Sequence, residues 1–395
     1  MKRFAFVLLV IGTLLLAACV PATAVPPTAA PATTAAPTDT PAAPTGTTAP
    51  GPTNTAAPTA TTAAATDTAA PSATTAPATD TAAPATSGPV ATVAPATYID
   101  DRSDPAALMT SFANAINQHQ YLRAFSYWRP AAQGLPTFDV YENGYSTTAT
   151  IDISFGAITG DAGAGQLYYS VPTKLVSHLT DNSVQTYVGC YILHLSQPAI
   201  QGVPPFQGLS INSATVNAVV NNADTTTLLA QACSANPGGP LPVTPTTAAN
   251  DISPTRYLDD RTDAVQVLRS LFNAVNRQEY LRAYSYWEPG AQGLPTFAQF
   301  QAGYANTAAV TLTVGTVTGD AGAGQRYWSV PVTLVSRSTA NVTQTYVACY
   351  TLHLGLPDAQ GVPPYQPIGI RSATAKLVAN NADTATLMGT ACPAQ

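Results

Sequence analysis

The chain has 395 residues, of which 46% are hydrophobic and only 9% charged, with five cysteines and a formal net charge of −6. Its lysines are Lys2, Lys174 and Lys376 alone, so no basic face is available to nucleic acid or to an acidic lipid surface, and neither is an expected partner. The low charged fraction comes partly from a long Ala/Thr/Pro stretch and is not a sign of membrane insertion.

Lys2 and Arg3 precede an apolar run from Phe4 to Leu16, followed by Ala17, Ala18 and Cys19. The run is shorter than the about 20 residues that span a bilayer, so residues 1–18 read as an export signal. Leu16-Ala17-Ala18-Cys19 resembles the lipobox of bacterial lipoproteins. That resemblance implies cleavage before Cys19, a diacylglycerol thioether on its sulfur, and stable anchoring, since each buried methylene adds about 0.8 kcal/mol. An ordinary secretory signal is the alternative. The expected location is the extracytoplasmic face of a bacterial cell envelope. Residues 19–97 collapse to Ala, Thr and Pro, with Asp39, Asp67 and Asp80 the only charges and no aromatic residue before Tyr98. Nothing there can offset the entropy of ordering, so the segment reads as a disordered tether.

Residues 98–236 then recur at 257–395 with a constant offset of 159 and no insertion or deletion. Tyr98-Ile99-Asp100-Asp101-Arg102 answers to Tyr257-Leu258-Asp259-Asp260-Arg261. A repeat of about 140 residues is one whole domain, so two tandem domains are expected, joined by a Pro-rich linker at 237–256 that should let them move independently. Each copy holds two cysteines 43 positions apart, without zinc-like spacing. Three connectivities are open, and duplication of a self-contained unit favours Cys190 with Cys233 and Cys349 with Cys392.

Within a copy, helices come first. Asp263 offers a cap, followed by a Val265, Leu268, Phe272, Val275 stripe; Leu108, Phe112 and Ile116 are its counterpart in the first copy. A second helix is expected over 121–128 (280–287) and a third from Pro136 to Gly144. The period then falls to two. Strands are expected at 149–158, 167–177, 185–195 and 209–220, with the Gly-rich 159–165 segment as a hairpin turn and a last helix near 224–232. Helices followed by a curved antiparallel sheet make each copy α+β.

A helix ending Asn-Ala-[Ile/Val]-Asn, then Tyr-Leu-Arg-Ala-[Phe/Tyr]-Ser-Tyr-Trp, then Pro-Thr-Phe and Gly-Tyr before the strands, is similar to the nuclear transport factor 2-like superfamily, and more closely to uncharacterised bacterial lipoprotein members of it. The resemblance implies a curved-sheet cone with a pocket between helices and sheet. Candidate lining residues are Tyr121, Trp128, Tyr145, Tyr168, Tyr187 and Tyr191, with Tyr280, Trp287, Tyr304, Tyr327, Tyr346 and Tyr350 in the second copy. Catalytic members place a carboxylate or histidine in the pocket. Here Asp100, Asp101, Asp104, Asp161 and Asp224 occupy capping or turn positions. His194 (His353) stands on the strand face opposite Tyr191. The glycines of 160–165 precede a strand and not a helix, which excludes a phosphate cradle. An aspartate of Asp100-Asp101 is expected to pair with Arg123 (Arg282). No catalytic residue, metal or cofactor is expected. The expected function is a non-enzymatic, lipid-anchored binding or interaction module for a small ligand or an envelope protein. The alternatives are a hydrolase or isomerase using the aromatic pocket, and a structural spacer.

Overall fold

The structure is a computed structural model that describes residues 97–130, 132–220, 223–240 and 252–393. The signal 1–18, Cys19, the tether short of residue 97, and linker residues 241–251 lie outside the described residues. Each half is α+β, with helices preceding an open antiparallel sheet.

Helix α1 (Pro105–Asn117) starts where the Asp104 side chain accepts the Ala107 N–H, satisfying one of the donors a helix start leaves unpaired. Its Leu108, Phe112 and Ile116 lie almost wholly out of solvent. Helix α2 (Tyr121–Ser126) ends sooner than its pattern suggests. Arg129 N–H donates to the Ile211 carbonyl (2.8 Å) and Ile211 N–H to the Tyr127 carbonyl (2.7 Å), which pulls Trp128 out of helical register and ties it to the sheet. Helix α3 (Phe138–Gly144) closes the helical layer.

The first sheet contains β1 (Thr148–Phe155), β2 (Thr159–Gly163), β3 (Gln166–Leu179), β4 (Val184–Ser196) and β5 (Ser210–Val219). Strands β5, β4 and β3 are neighbours, and β1 and β2 share the far edge of β3, opposite its C-terminal and N-terminal portions respectively. The expectation of a loop over 159–165 is therefore corrected. Thr159–Gly163 is a strand, and the reversal is confined to Ala164 and Gly165, at φ +49° and +76°. Two successive positive φ values are what a two-residue hairpin needs to match strand twist. Helix α4 (Thr225–Gln231), capped by Asp224, carries Cys233 to Cys190 on β4, forming a disulfide with Cα atoms 5.0 Å apart. A short strand, β6 (Gly239–Pro240), follows and pairs with β2.

The second half repeats this layout with α5 (Ala264–Asn276), α6 (Tyr280–Tyr284), α7 (Phe297–Tyr304), β7 (Thr307–Val314), β8 (Thr318–Gly322), β9 (Gln325–Ser338), β10 (Thr343–Gly355), β11 (Gly369–Val378) and α8 (Thr384–Met388). In α5 it is Val267, not Val265, that completes the buried stripe. Cys349 and Cys392 form the second disulfide.

The halves form a single compact unit, which corrects the expectation of independent movement. Arg102 N–H donates to the Asp259 carbonyl and Arg261 N–H to the Asp100 carbonyl, both at 2.7 Å. Asp100 N–H reaches Thr262 Oγ1 (3.2 Å) and Asp259 N–H reaches Ser103 Oγ (2.9 Å). Tyr98 packs on the core of the second half and Tyr257 on that of the first. Equivalent residues exchange equivalent contacts, the signature of a two-fold interface built inside one chain.

Candidate functional site

Two clusters were candidates for chemistry, the acidic segment around Asp100 and the aromatic cluster in the core of each half. The acidic segment is interface. The carboxylate of Asp100 pairs with Arg102 Nε (3.0 Å) and accepts the Tyr127 hydroxyl (3.0 Å). Arg123, with no exposed surface, does not ion-pair with it as expected. Its guanidinium donates to the Ile99 carbonyl, Asn114 Oδ1 (2.8 Å) and Gln120 Oε1 (2.7 Å), and covers the Tyr98 ring. The equivalent Arg282 pairs instead with Glu279 (2.6 Å). The reason is position: Arg102, two residues from Asp100 on an extended segment, reaches the carboxylate first, leaving Arg123 to satisfy backbone. Asp101 meets Asp260 in an antiparallel bridge across the interface, and burial followed by the Asp260 charge pushes its carboxyl up to about 7.

In the first half, the Tyr121 and Tyr145 rings stack with centroids 5.7 Å apart, Tyr141 lies 5.2 Å from Tyr145, and Trp128 lies 6.3 Å from Tyr191. The second half repeats this with Tyr280 and Tyr304 (6.2 Å) and Trp287 and Tyr350 (6.4 Å). The indole Nε1 of Trp128 and of Trp287 closes no full hydrogen bond, nor does the Tyr141 hydroxyl, although in the first half Tyr141 lies near enough to Trp128 and Tyr145 for each to act on its phenol. Unpaired buried donors are costly and rare, so the recurrence of the indole at equivalent positions in both halves marks the site. Burial raises the Tyr141, Tyr191 and Tyr350 phenols well above their ordinary value and pushes Tyr145 and Tyr304 up to about 12. At neutral pH all remain protonated donors.

Not every expected lining residue belongs here. Tyr168 stands across from His194 on the opposite face, ring against ring at 4.6 Å, and Tyr327 repeats this with His353 at 4.7 Å. Strand register causes this, because Tyr168 is opposite His194, while Tyr191 is three residues away from His194 and therefore points inward. Tyr187 bonds to Gln185 at the strand start and stays outside the first core, whereas Tyr346, though bonded to Gln344, is buried in the second core with Tyr350. Tyr141, with its counterpart Phe300, was missed; its place in α3, one turn from Tyr145, was the available signal.

His194 is held structurally. Arg129 can only donate, so Nδ1 accepts from it (3.1 Å) and Nε2–H donates to Gln166 (2.6 Å). Burial, then the Arg129 charge, holds the imidazole below its ordinary value. In the second half His353 faces Glu288 instead. Among the described residues no group of three or more His, Cys, Asp or Glu is placed to hold a metal, and no helix is long and apolar enough to cross a membrane. No protein-family model matches this sequence, and no curated protein matches it.

Proposed function

We propose that the chain is a non-enzymatic binding module of the bacterial cell envelope, lipid-anchored through Cys19 and carrying two nuclear transport factor 2-like domains that each accept a small hydrogen-bonding ligand. One observation carries the reading: a buried indole N–H that closes no full hydrogen bond lies next to a buried tyrosine ring at the same place in both halves. Such a cluster offers donors to an acceptor-rich molecule. It contains no group that exchanges a proton near neutral pH, which supports binding over acid–base chemistry. Two disulfides support an oxidising, extracytoplasmic location. The doubled site within one compact unit favours avidity for a ligand or partner that is itself repeated.

The test is native mass spectrometry of the chain after incubation with cell-envelope extract. The expected result is a discrete added mass that disappears when Trp128 and Trp287 are both replaced by phenylalanine. An unchanged mass, or an adduct retained by that double variant, overturns the proposal. A structural spacer is the second reading, favoured by the way the rings pack on one another within the cone.

A further inference from the structure

The sheet face turned away from Tyr191 carries a constellation that the two halves build differently. In both, the chain leaving the second helix is tied to the sheet: Arg129 N–H donates to the Ile211 carbonyl (2.8 Å) and Glu288 N–H to that of Ile370 (3.0 Å). Each side chain thereby reaches the histidine of β4 or β10. The Nε2 of that histidine meets Gln166 (2.6 Å) in the first half and Gln325 (2.5 Å) in the second, and its ring lies against Tyr168 or Tyr327.

In the second half a carboxylate holds the remaining ring nitrogen: Glu288 Oε1 lies 2.5 Å from His353 Nδ1, with Arg371 Nη1 3.8 Å from the other oxygen. Gly369 makes room for it, since a Cβ there would fall 2.7 Å from Glu288 Cγ. The first half exchanges all three positions, with Arg129 for Glu288, Asn212 for Arg371 and Ser210 for Gly369. Arg129 Nη1 donates to His194 Nδ1 (3.1 Å), and among the described residues the imidazole is the only partner of its side chain. A guanidinium carries five N–H donors, so this half-buried one has donors left over. The carboxylate that the equivalent imidazole nitrogen holds in the second half is what would complete it.

We propose that Arg129 and His194 form a carboxylate-binding site, in which a carboxylate takes the place that Glu288 fills beside His353. One oxygen accepts from the Arg129 guanidinium as a charge-assisted hydrogen bond. The other accepts from His194 Nδ1 once that nitrogen is protonated, when it can no longer accept from Arg129. Carboxylate and proton therefore reinforce one another, and by reciprocity the carboxylate binds more tightly at acid pH. The groups facing His194 are Arg129, Gln166 and Tyr168, with Ser210 opposite on β5 and Asp161 one strand beyond Tyr168. Asp161 is exposed and accepts the Ala162 N–H (2.8 Å), so Arg129 is the charge against which the imidazole must ionise. The site uses neither indole nor Tyr191, and its fate does not depend on the ligand proposed for the cores.

The test is NMR of the full chain labelled with nitrogen-15 histidine, its 4 histidines including both His194 and His353, titrated with acetate at pH 5.5 and 7.5. The expected result is a saturable shift at the His194 ring and none at His353, with binding about fivefold or more tighter at the lower pH. Arg129→Gln should abolish the shift. Arg129→Glu, which installs the arrangement of the second half, should leave a His194 ring that no longer responds to acetate. A second arm replaces Asp39, Asp67, Asp80 and Asp251 together by asparagine. A response to acetate in that variant alone assigns the carboxylate to the chain itself, whereas the same response in both forms assigns it to a free ligand. No saturable shift in either form, an equal shift at His353, equal binding at the two pH values, or a shift that survives Arg129→Gln overturns the proposal.

Discussion

Replacing Asp101 with asparagine should stabilise the protein at pH 8 and leave it nearly unchanged at pH 4.5. Asp101 and Asp260 oppose one another where the halves meet, and burial plus that like charge raises the Asp101 carboxyl from 3.8 to about 7. Asp260 is raised too, first by burial. A carboxyl whose value is raised on folding binds its proton more tightly in the folded chain. Its contribution is therefore full below about pH 4 and is lost as pH climbs toward 7. A shift of that size corresponds to an upper limit of roughly 4 kcal/mol, and since the two carboxyls titrate as a pair, a difference of roughly 1–3 kcal/mol is expected between variant and wild type at pH 8. Asparagine keeps the Oδ1 acceptor for the Ser103 N–H (2.9 Å), so the cap-like bond survives. His194 and Asp259 are both lowered on folding and work in the opposite sense, which is why the readout is the difference between variant and wild type. Urea unfolding at pH 4.5, 6 and 8, followed by tryptophan fluorescence, measures it. A difference that is flat or shrinks as pH rises refutes the reasoning.

Arg282→Met should cost about 3 kcal/mol because it removes one of the two ion-pair partners of the buried Glu279 carboxylate and leaves Arg277 as the other, whereas Arg123→Met, beside neutral Gln120, should cost clearly less; thermal unfolding of the two variants orders them. A protease site introduced between residues 242 and 251 should, once cut, leave two fragments that co-elute in gel filtration, since the halves are joined by reciprocal backbone hydrogen bonds; separate elution would show the interface to be too weak to hold. Replacing both Cys190 and Cys233 by alanine should lower stability by about 2–4 kcal/mol in denaturant titrations, because a loop of 43 positions is no longer closed in the unfolded chain.

Much of the fold was legible because it is local. Asp104, Asp224 and Asp263 announce helix starts by an oxygen placed before an apolar stripe, and the change of period from 3.6 to 2 marks where the strands begin. The pairing of Cys190 with Cys233 followed from duplication, since a unit copied whole must close on itself. The candidate site was legible only in part. Alternation along β4 correctly set His194 against Tyr191, yet Tyr168, on another strand, could be assigned to a face only through the cross-strand register that puts it opposite His194. The strand over Thr159–Gly163 was hidden because glycines and an alanine carry no side-chain pattern, so only its hydrogen-bonding partner reveals it.

By itself, then, the sequence determined the repeat, the α+β order, the caps and the cysteine pairs, all of which depend on spacing along one stretch of chain. Tertiary structure decided what meets across distance. The exchange between Asp100 and Arg261, the confrontation of Asp101 with Asp260 and the covering of β2 by Gly239–Pro240 join residues far apart in sequence. The two copies share nearly the same local pattern, but docking turns one face of each inward, and of the matching strands β2 and β8 only β2 has a second neighbour among the described residues. Periodicity states which side of an element is apolar; only packing selects what lies against it.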